Sequence, residues 1–280
     1  LASLYPLPNR NQPGANFFSS PDLRDRSDTS DLRLDQHVAS GSELAVRYSV
    51  GDRNLYDPFS GPAYALVPGF GTNVPRRAQN LMASETHVFT PALIGEFRGA
   101  YNRVALGSFH ENQGRDLNRQ VGLPVLSAQS RDAGLSFISL PGFSPLGDEY
   151  NNPQHSVSET FQGLGQASLQ HGRGLLKFGG EFRALRQTAY RDVLSRGMIS
   201  FLGLSGNPLG DLLQGFPTFS VGARLDNPQN LRSRSYSGFV HDTYRLGPSL
   251  VISAGLRYEY STPPFDAFDR ANVYDPAAGA

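Results

Sequence analysis

The stretch LVISAGLRYEY, residues 250–260, decides the fold class of this chain. Its even-numbered positions are all apolar or aromatic, whereas the odd-numbered positions include Ser253, Arg257 and Glu259. Because successive side chains of a β-strand point to opposite faces, this strand has one apolar face and one face that carries charge. Two structures fit such a strand: the inner face of a soluble β-sandwich, or the lipid-facing side of a membrane β-barrel with tyrosines near the water boundary.

The composition limits the classes of function. The chain has 280 residues, of which 25 are basic and 25 are acidic, so no nucleic-acid partner is indicated. It contains no cysteine, which excludes disulfides and thiolate metal sites. No apolar run approaches the roughly 18 residues of a membrane-spanning helix. Thirty glycines and twenty prolines indicate many turns, and together with the alternating segments of the chain they favour an all-β fold.

Four pairs of alternating segments predict four β-hairpins. Their tight turns contain Gly41, Pro91, Gly172 and Pro248. The paired segments are residues 31–38 with 43–51, 77–89 with 92–107, 156–170 with 175–191, and 231–246 with 249–261. Weaker strands are predicted near residues 197–204 and 218–225, which brings the total to about ten strands.

Loop lengths distinguish the two ends of these strands. Tight turns at one end alternate with long Pro- and Gly-rich loops near residues 52–75 and 108–155, and four prolines, the last of them Pro75, exclude a central strand from the first loop. Several strands are about 13–17 residues long, against about 5–6 in most globular sheets. This asymmetry favours a partial antiparallel transmembrane β-barrel, about ten strands of a larger barrel with long extracellular loops.

The predicted organisation has three parts. Residues 1–30 form an irregular entry segment, residues 31–262 contain the barrel strands and loops, and residues 263–280 begin a further loop. Within the second part, residues 206–215 fit either a short helix folded into the barrel mouth or a packed loop corner, and we favour the corner.

Five stretches of the sequence together resemble a known family, the TonB-dependent outer-membrane receptors, in particular the Oar-like branch, whose members carry a carboxypeptidase-regulatory-like domain. These stretches are LYPLPN (4–9), DLRLDQHVASGSELAVRYS (31–49), PALIGEFRGAYNR (91–103), GNPLGDLLQG (206–215) and RSYSGFVHDTYRLGPSLVISAGLRYEYSTPP (234–264). Each is short, but their order and spacing cover nearly the whole chain. The chain departs from the family where His241-Asp242 and Tyr244 replace the Gln-Asp and Trp of many members.

The resemblance implies an interior stretch of a barrel of twenty-two strands, because no plug domain, TonB box or aromatic-ended final strand is recognisable. It implies energised uptake of a large or scarce solute. The expected partners are outer-membrane lipid, the protein's own plug domain, the TonB energy-coupling system reached through absent segments, and an unknown solute. Ten strands alone leave two open edges, so we expect residues 1–280 neither to close nor to fold stably by themselves.

Charged and aromatic side chains on these strands are the candidate site residues. A charge facing lipid near the midplane costs about 2–4 kcal/mol, so charged residues of the polar face are expected to face the lumen or the plug. Both signs are present, so neighbouring strands can pair them across the wall. A structural ladder or plug contact is favoured over direct solute binding, because ligand contacts usually lie on loops. The lumen candidates are Glu96, Arg98, Lys177, Glu181, Arg183, Arg257 and Glu259, and the interfacial aromatic candidates are Tyr101, Tyr190, Tyr258 and Tyr260.

No catalytic, metal or cofactor site is predicted, and the chain is not expected to be an enzyme. Its six histidines have no metal-ligand spacing. The acidic run at residues 22–35 is interleaved with arginines and lacks the pattern of a calcium loop, so it indicates a solvated mixed-charge segment. Three functions stay open: an energised outer-membrane transporter, a passive outer-membrane channel or surface adhesin, and a secreted soluble β-sandwich module.

Overall fold

Eight long strands form one continuous antiparallel sheet in the computed structural model, which describes residues 1–59, 67–223 and 228–270. The strands follow the order β1-β2-β3-β4-β6-β7-β10-β11, so each pairs with the next long strand along the chain. A two-residue strand, β12, also pairs with β10. The long strands are β1 (Arg24–Ala39), β2 (Ser42–Asp57), β3 (Thr72–Thr90), β4 (Leu93–His110), β6 (Gln154–His171), β7 (Gly174–Arg191), β10 (Gln229–Arg245) and β11 (Val251–Ser261), and β12 is Phe265–Asp266.

All four predicted hairpins are confirmed: β1 with β2, β3 with β4, β6 with β7, and β10 with β11. The first and third turn through Gly41 and Gly172, whose φ angles of +79° and +57° are unfavourable for residues that carry a Cβ. The all-β class and the partial barrel are therefore confirmed. Among the described residues, β1 and β11 do not pair with each other, so this part of the sheet stays open.

The strands extend further than the alternation predicted. β1 begins at Arg24, so the prediction of an irregular segment up to residue 30 is wrong for its last seven residues (24 to 30). Strand also occupies both ends of the predicted loop at 52–75, and Pro75 lies inside β3. Pro75 is tolerated because the pairing of β3 with β4 is interrupted there, between Asn73 and Arg76, so no partner needs its missing N–H.

A second, smaller structure is built from the long connections. Residues 67–71, 111–153 and 192–223 pack together at the long-loop end of the sheet, and we call them the loop layer. Three short strands join two of these connections: β5 pairs with β8 in parallel, and β8 pairs with β9. The elements of the loop layer are α1 (Leu117–Gln120), a 3-10 turn (Ser130–Asp132), β5 (Phe137–Ser139), β8 (Met198–Ser200), α2 (Pro208–Gln214) and β9 (Phe219–Val221).

The weak strands predicted near residues 197–204 and 218–225 are thus β8 and β9, which belong to the loop layer and not to the wall. The segment 206–215 forms α2, so the favoured loop corner is corrected to a short helix. Asn207 caps it by accepting from the backbone N–H groups of Leu209 and Gly210, and Gly215 ends it in the left-handed conformation.

The largest cluster of buried apolar side chains among the described residues lies in the loop layer. All three long connections contribute to it, and the first five residues of the chain pack against it through Leu1, Leu4 and Tyr5. Its buried members are Val67, Phe70, Leu135, Ile138, Leu140, Leu146, Phe201 and Leu212. The long connections are therefore a folded unit with its own hydrophobic core, and residues 108–155 are not only the surface loop that the sequence predicted.

No helix in the described residues has the length and apolar character needed to cross a membrane.

Replacing Leu146 by alanine tests this core. Leu146 has no exposed surface, so Leu146→Ala should destabilise the loop layer by about 2–5 kcal/mol, the usual cost of such a cavity. Amide hydrogen exchange of residues 135–148 in the intact protein should accelerate strongly while β6 and β7 stay protected. Leu213→Ala is the matched control, because Leu213 is 68% exposed on α2. Equal effects of the two variants would contradict an independent core.

Candidate functional site

The strand registers place one continuous apolar face on the sheet. One row crosses β1, β2, β3, β4 and β6, and each of its residues is directly opposite the next. The row consists of Leu32, Tyr48, Leu81, Tyr101 and Phe161. The same face continues across the other strands with Phe178, Phe182, Val240 and Leu256, which are 41–73% exposed. We call this side the apolar face. Large apolar groups in such a continuous exposed patch indicate contact with lipid.

The opposite side of the sheet, which we call the polar face, carries a matching row of hydrogen-bonding groups. Asp31, Ser49, Asn80, Asn102 and Thr160 are direct neighbours from β1 to β6. The Asn80 side-chain amide donates to that of Asn102 at 2.5 Å. Such neighbouring polar pairs stabilise a sheet and leave a surface that water can wet.

All seven lumen candidates lie on the polar face, on strands β4, β7 and β11. Six of them form three ion pairs between residues two apart on one strand. Arg98 donates to Glu96 at 2.5 Å, Arg183 donates to Glu181 at 2.7 Å, and Arg257 donates to Glu259. These side chains are half-buried or exposed, so each pair contributes little to stability, about 0–1 kcal/mol.

Neighbouring strands could have paired these charges, but the six residues bond within their own strands. Same-face residues two apart lie within reach of a long arginine side chain, so each arginine bonds within its own strand. Glutamines make the links between strands: Gln166 donates to Glu96 at 2.7 Å, and Gln162 donates to Glu181 at 3.0 Å. The seventh candidate, Lys177, is exposed and has no carboxylate within ion-pair distance in the described residues.

The polar face also contains charges that the sequence analysis missed. Asp25 accepts from Arg53 at 2.6 Å, and Arg47 donates to Asp31 at 3.1 Å, both between β1 and β2. Arg47 and Asp31 could have been identified from the sequence, because the odd-numbered positions of the first predicted hairpin share the polar face. Asp25 could not be found in this way because residues 24–30 are polar on both faces and lack the alternating pattern.

All four tyrosine candidates have the parity of the apolar face, and three of them lie within the apolar rows. The Tyr101 ring lies 4.9 Å from that of Phe161, and Tyr260 lies opposite Tyr236, two residues from Tyr258. Tyr190 has different surroundings. It lies toward the loop layer, with the Arg131 guanidinium 4.6 Å from its ring centroid and the His155 ring 5.6 Å away.

Buried charges fix the shape of the loop layer. Asp148 accepts from the Leu135 backbone N–H at 2.7 Å and from the Asn112 side chain at 2.9 Å. Arg196 donates to the Glu149 carbonyl at 2.6 Å. Burial raises the pKa of Asp148 and lowers the pKa of Arg196, because each charged form loses hydration.

An ion pair joins two of the long connections. Arg131 donates to Asp192 at 2.7 Å, and the Asp192 side chain has no exposed surface. Burial is the main cause of a raised pKa at Asp192, and the hydrogen bond from Arg131 opposes it. The mouth of the sheet is therefore covered by a preformed surface, in which Asp148, Asp192 and Arg196 each have hydrogen-bond partners within the loop layer. No group of three or more His, Asp and Glu residues in the described part of the chain could hold a metal ion.

A family model described as "Outer membrane beta barrel domain" matches residues 1–280. The chain belongs to this family. It is accordingly a protein of the bacterial outer membrane, and the predicted localisation is confirmed. Membership agrees with the two-faced sheet, since an outer-membrane barrel needs lipid-facing apolar residues that alternate with polar lumen residues.

Two solved structures resemble this barrel domain in fold. The outer membrane transporter YddB from Escherichia coli is 8% identical, with a TM-score of 0.42, and the match covers 88% of this chain and 35% of that structure. The copper transporter OprC is 13% identical, also with a TM-score of 0.42, and the match covers 89% of this chain and 30% of that structure. This barrel domain thus spans about a third of the length of these structures. No curated protein sequence matches it.

Single cysteines can test which face meets water, because the chain contains none of its own. Lys177 and Phe178 are adjacent on β7 and point to opposite faces. We expect a charged, water-soluble maleimide to label Lys177→Cys and to leave Phe178→Cys unlabelled in isolated outer-membrane fragments, where the reagent reaches both ends of the lumen. A membrane-soluble maleimide should label Phe178→Cys. The reverse pattern with the two reagents would contradict the face assignment.

Proposed function

We propose that this chain forms part of the wall and outer mouth of an energised outer-membrane transporter that takes up a polar solute. The observation that carries the proposal is the polar face, which runs along every long strand from the tight turns to the loop layer. In a barrel, the face opposite the lipid lines the lumen, and hydrogen-bonding groups there accommodate water and polar solutes. Catalytic chemistry is not part of the proposal.

The charges of the polar face support a particular kind of solute. Glu96, Glu181 and Glu259 are each neutralised by an arginine of the same strand. Paired charges produce only a weak field at a distance, so they do not steer ions of one sign. They remain good hydrogen-bond donors and acceptors. The arrangement therefore favours a solute bound by many hydrogen bonds over a small ion drawn in by charge.

The loop layer supports a role in first contact with the solute. Its apolar core holds three connections in one arrangement, and the Arg131–Asp192 pair links two of them. A preformed binding surface loses less conformational entropy on binding than mobile loops do. The short turns lie at the other end of the sheet. By analogy with barrels whose long loops are extracellular, we place the loop layer outside the cell and the turns in the periplasm.

Coupling to TonB rests on the resemblance of five sequence stretches to the TonB-dependent receptors. In such a receptor, a plug fills the lumen, and the paired charges of the polar face would contact it. The second candidate is a passive channel, which has the same wall and needs no plug or energy source.

Two measurements on the intact protein separate these functions. In planar lipid bilayers, we expect no steady conductance, because a plugged lumen does not conduct. In cells, solutes removed from the medium only when the protein is expressed should no longer be removed after a protonophore is added, since energised uptake needs the proton gradient. Steady conductance, or uptake that survives the protonophore, would establish the passive channel instead.

Cysteine variants connect uptake to the polar face. A bulky charged thiol reagent on Lys177→Cys should strongly reduce uptake, because it occupies the lumen side of the wall. The same reagent should leave uptake by Phe178→Cys unchanged. Full uptake by labelled Lys177→Cys would exclude this part of the polar face from the path.

A further inference from the structure

Three arginines lie together on the apolar face, on the side that should meet the membrane: Arg186 on β7, with Arg232 and Arg234 on β10. Arg186 and Arg232 are directly opposite each other, and Arg234 is opposite Ala184. We propose that these arginines form a binding site for the phosphate group of an anionic membrane lipid. The inference depends on the outer-membrane location of the chain and does not depend on what the protein transports.

The height of the cluster matches a lipid headgroup. Arg186 is twelve residues beyond Gly174, the first residue of β7 at the tight-turn end (186 − 174). At about 3.3 Å per residue and a tilt of about 40°, twelve residues rise roughly 30 Å along the membrane normal. The apolar band of an outer-membrane barrel is about 25 Å tall. Arg186 and Arg232 therefore lie just beyond the hydrocarbon, where phosphates are found, and Arg234, which is opposite Ala184 and two residues nearer the tight turns, lies at its boundary.

The cluster lacks enough negative charge of its own. Within the described residues, none of the three arginines has a carboxylate within 4.0 Å. The nearest acidic residue is Glu159 on β6, the strand that flanks β7 on the side away from β10, where it is directly opposite Arg186. Its carboxylate accepts a hydrogen bond from the Tyr101 hydroxyl at 2.6 Å. Like charges directly opposite each other destabilise a sheet, and a bound anion would remove that cost.

Other arginines on the same face show the contrasting arrangement. Arg77 donates to Asp52 at 2.6 Å, and Arg26 donates to Asp28 at 2.8 Å. These arginines are satisfied within the sheet. The cluster on β7 and β10 thus differs from them in having three cations together without that compensation.

Local contacts hold two of the guanidinium groups in place. Arg232 donates to the backbone carbonyl of Leu231 at 2.9 Å, and the Arg186 guanidinium lies 5.1 Å from the Phe161 ring centroid. Guanidinium groups present several N–H donors in a planar fork that suits phosphate oxygens. A preorganised cluster loses less side-chain entropy when it binds an anion.

Aromatic side chains beside the cluster favour a lipid over a free anion. A groove of about 450 Å³ is lined by the three arginines together with Phe161, Phe182, Tyr236 and Phe265. Phe182, Tyr236 and Phe265 are 41–48% exposed. A free phosphate would leave these rings uncovered, whereas the acyl chains of a lipid would pack against them. The groove therefore combines contacts for both parts of an anionic lipid.

Two lipids that differ only in the phosphate test the proposal. Native mass spectrometry of the intact protein in non-ionic detergent would compare dioleoyl phosphatidic acid with dioleoylglycerol. We expect phosphatidic acid to bind at least about tenfold more tightly, because only it can accept charge-assisted hydrogen bonds from the arginines. Equal affinities would overturn the proposal. Displacement of the bound lipid by excess inorganic phosphate would assign the site to a free anion and would also overturn it.

Paired variants locate the site. R232Q/R234Q, on β10, should lower the affinity for phosphatidic acid at least about tenfold. R186Q, which changes only the arginine of the neighbouring strand β7, should also lower this affinity. The control R76Q/R245Q removes two exposed arginines from the polar face and should leave the affinity within about twofold. Heat-dependent mobility on a denaturing gel would verify folding, and R186Q carries the test if R232Q/R234Q does not fold. Unchanged affinity in the folded arginine variants would overturn the assignment.

Discussion

The two-residue period of the β-strand is the constraint on which the rest of this structure depends. Each long strand buries its backbone polar groups in ladders with its neighbours, and the period sends alternate side chains to lipid and to the lumen. A shift of one residue in any register would move a whole polar row into lipid. Glu96, Arg98 and the other lumen candidates therefore depend on registers that keep the same parity across eight strands.

The same period explains what the sequence could predict. Where one face meets hydrocarbon, the alternation is visible, and the central parts of all eight long strands were found. Beyond the hydrocarbon, both faces are polar, and the pattern disappears although the ladder continues. Residues 24–30 are the clearest case, because Arg24, Arg26 and Asp28 lie on the same face as Leu32 and continue its strand. Sequence patterns thus located the segments near the membrane, and strand ends needed the structure.

The loop layer could not be predicted for a different reason. Val67, Leu135 and Phe201 come from three connections, and no local period marks them as members of one core. Their association depends on contacts between distant parts of the chain, such as the parallel pairing of β5 with β8. The candidate site shows the same limit. The face of Glu181 and Arg183 follows from parity, but their bonding within one strand depends on side-chain reach, which parity does not specify.

The wall and the loop layer are stabilised in different ways. The wall has little buried apolar surface of its own in this open sheet, and its exposed leucines and phenylalanines are stabilised only when lipid covers them. The loop layer buries its core against itself, so its packing does not need a covering of lipid. We therefore infer that the wall depends on the membrane for its stability while the mouth does not. A rigid loop layer on a lipid-supported wall would keep its own surface unchanged as the surrounding lipid varies. The arginine cluster lies at the boundary between the wall and the loop layer, and the lipid itself would be recognised there.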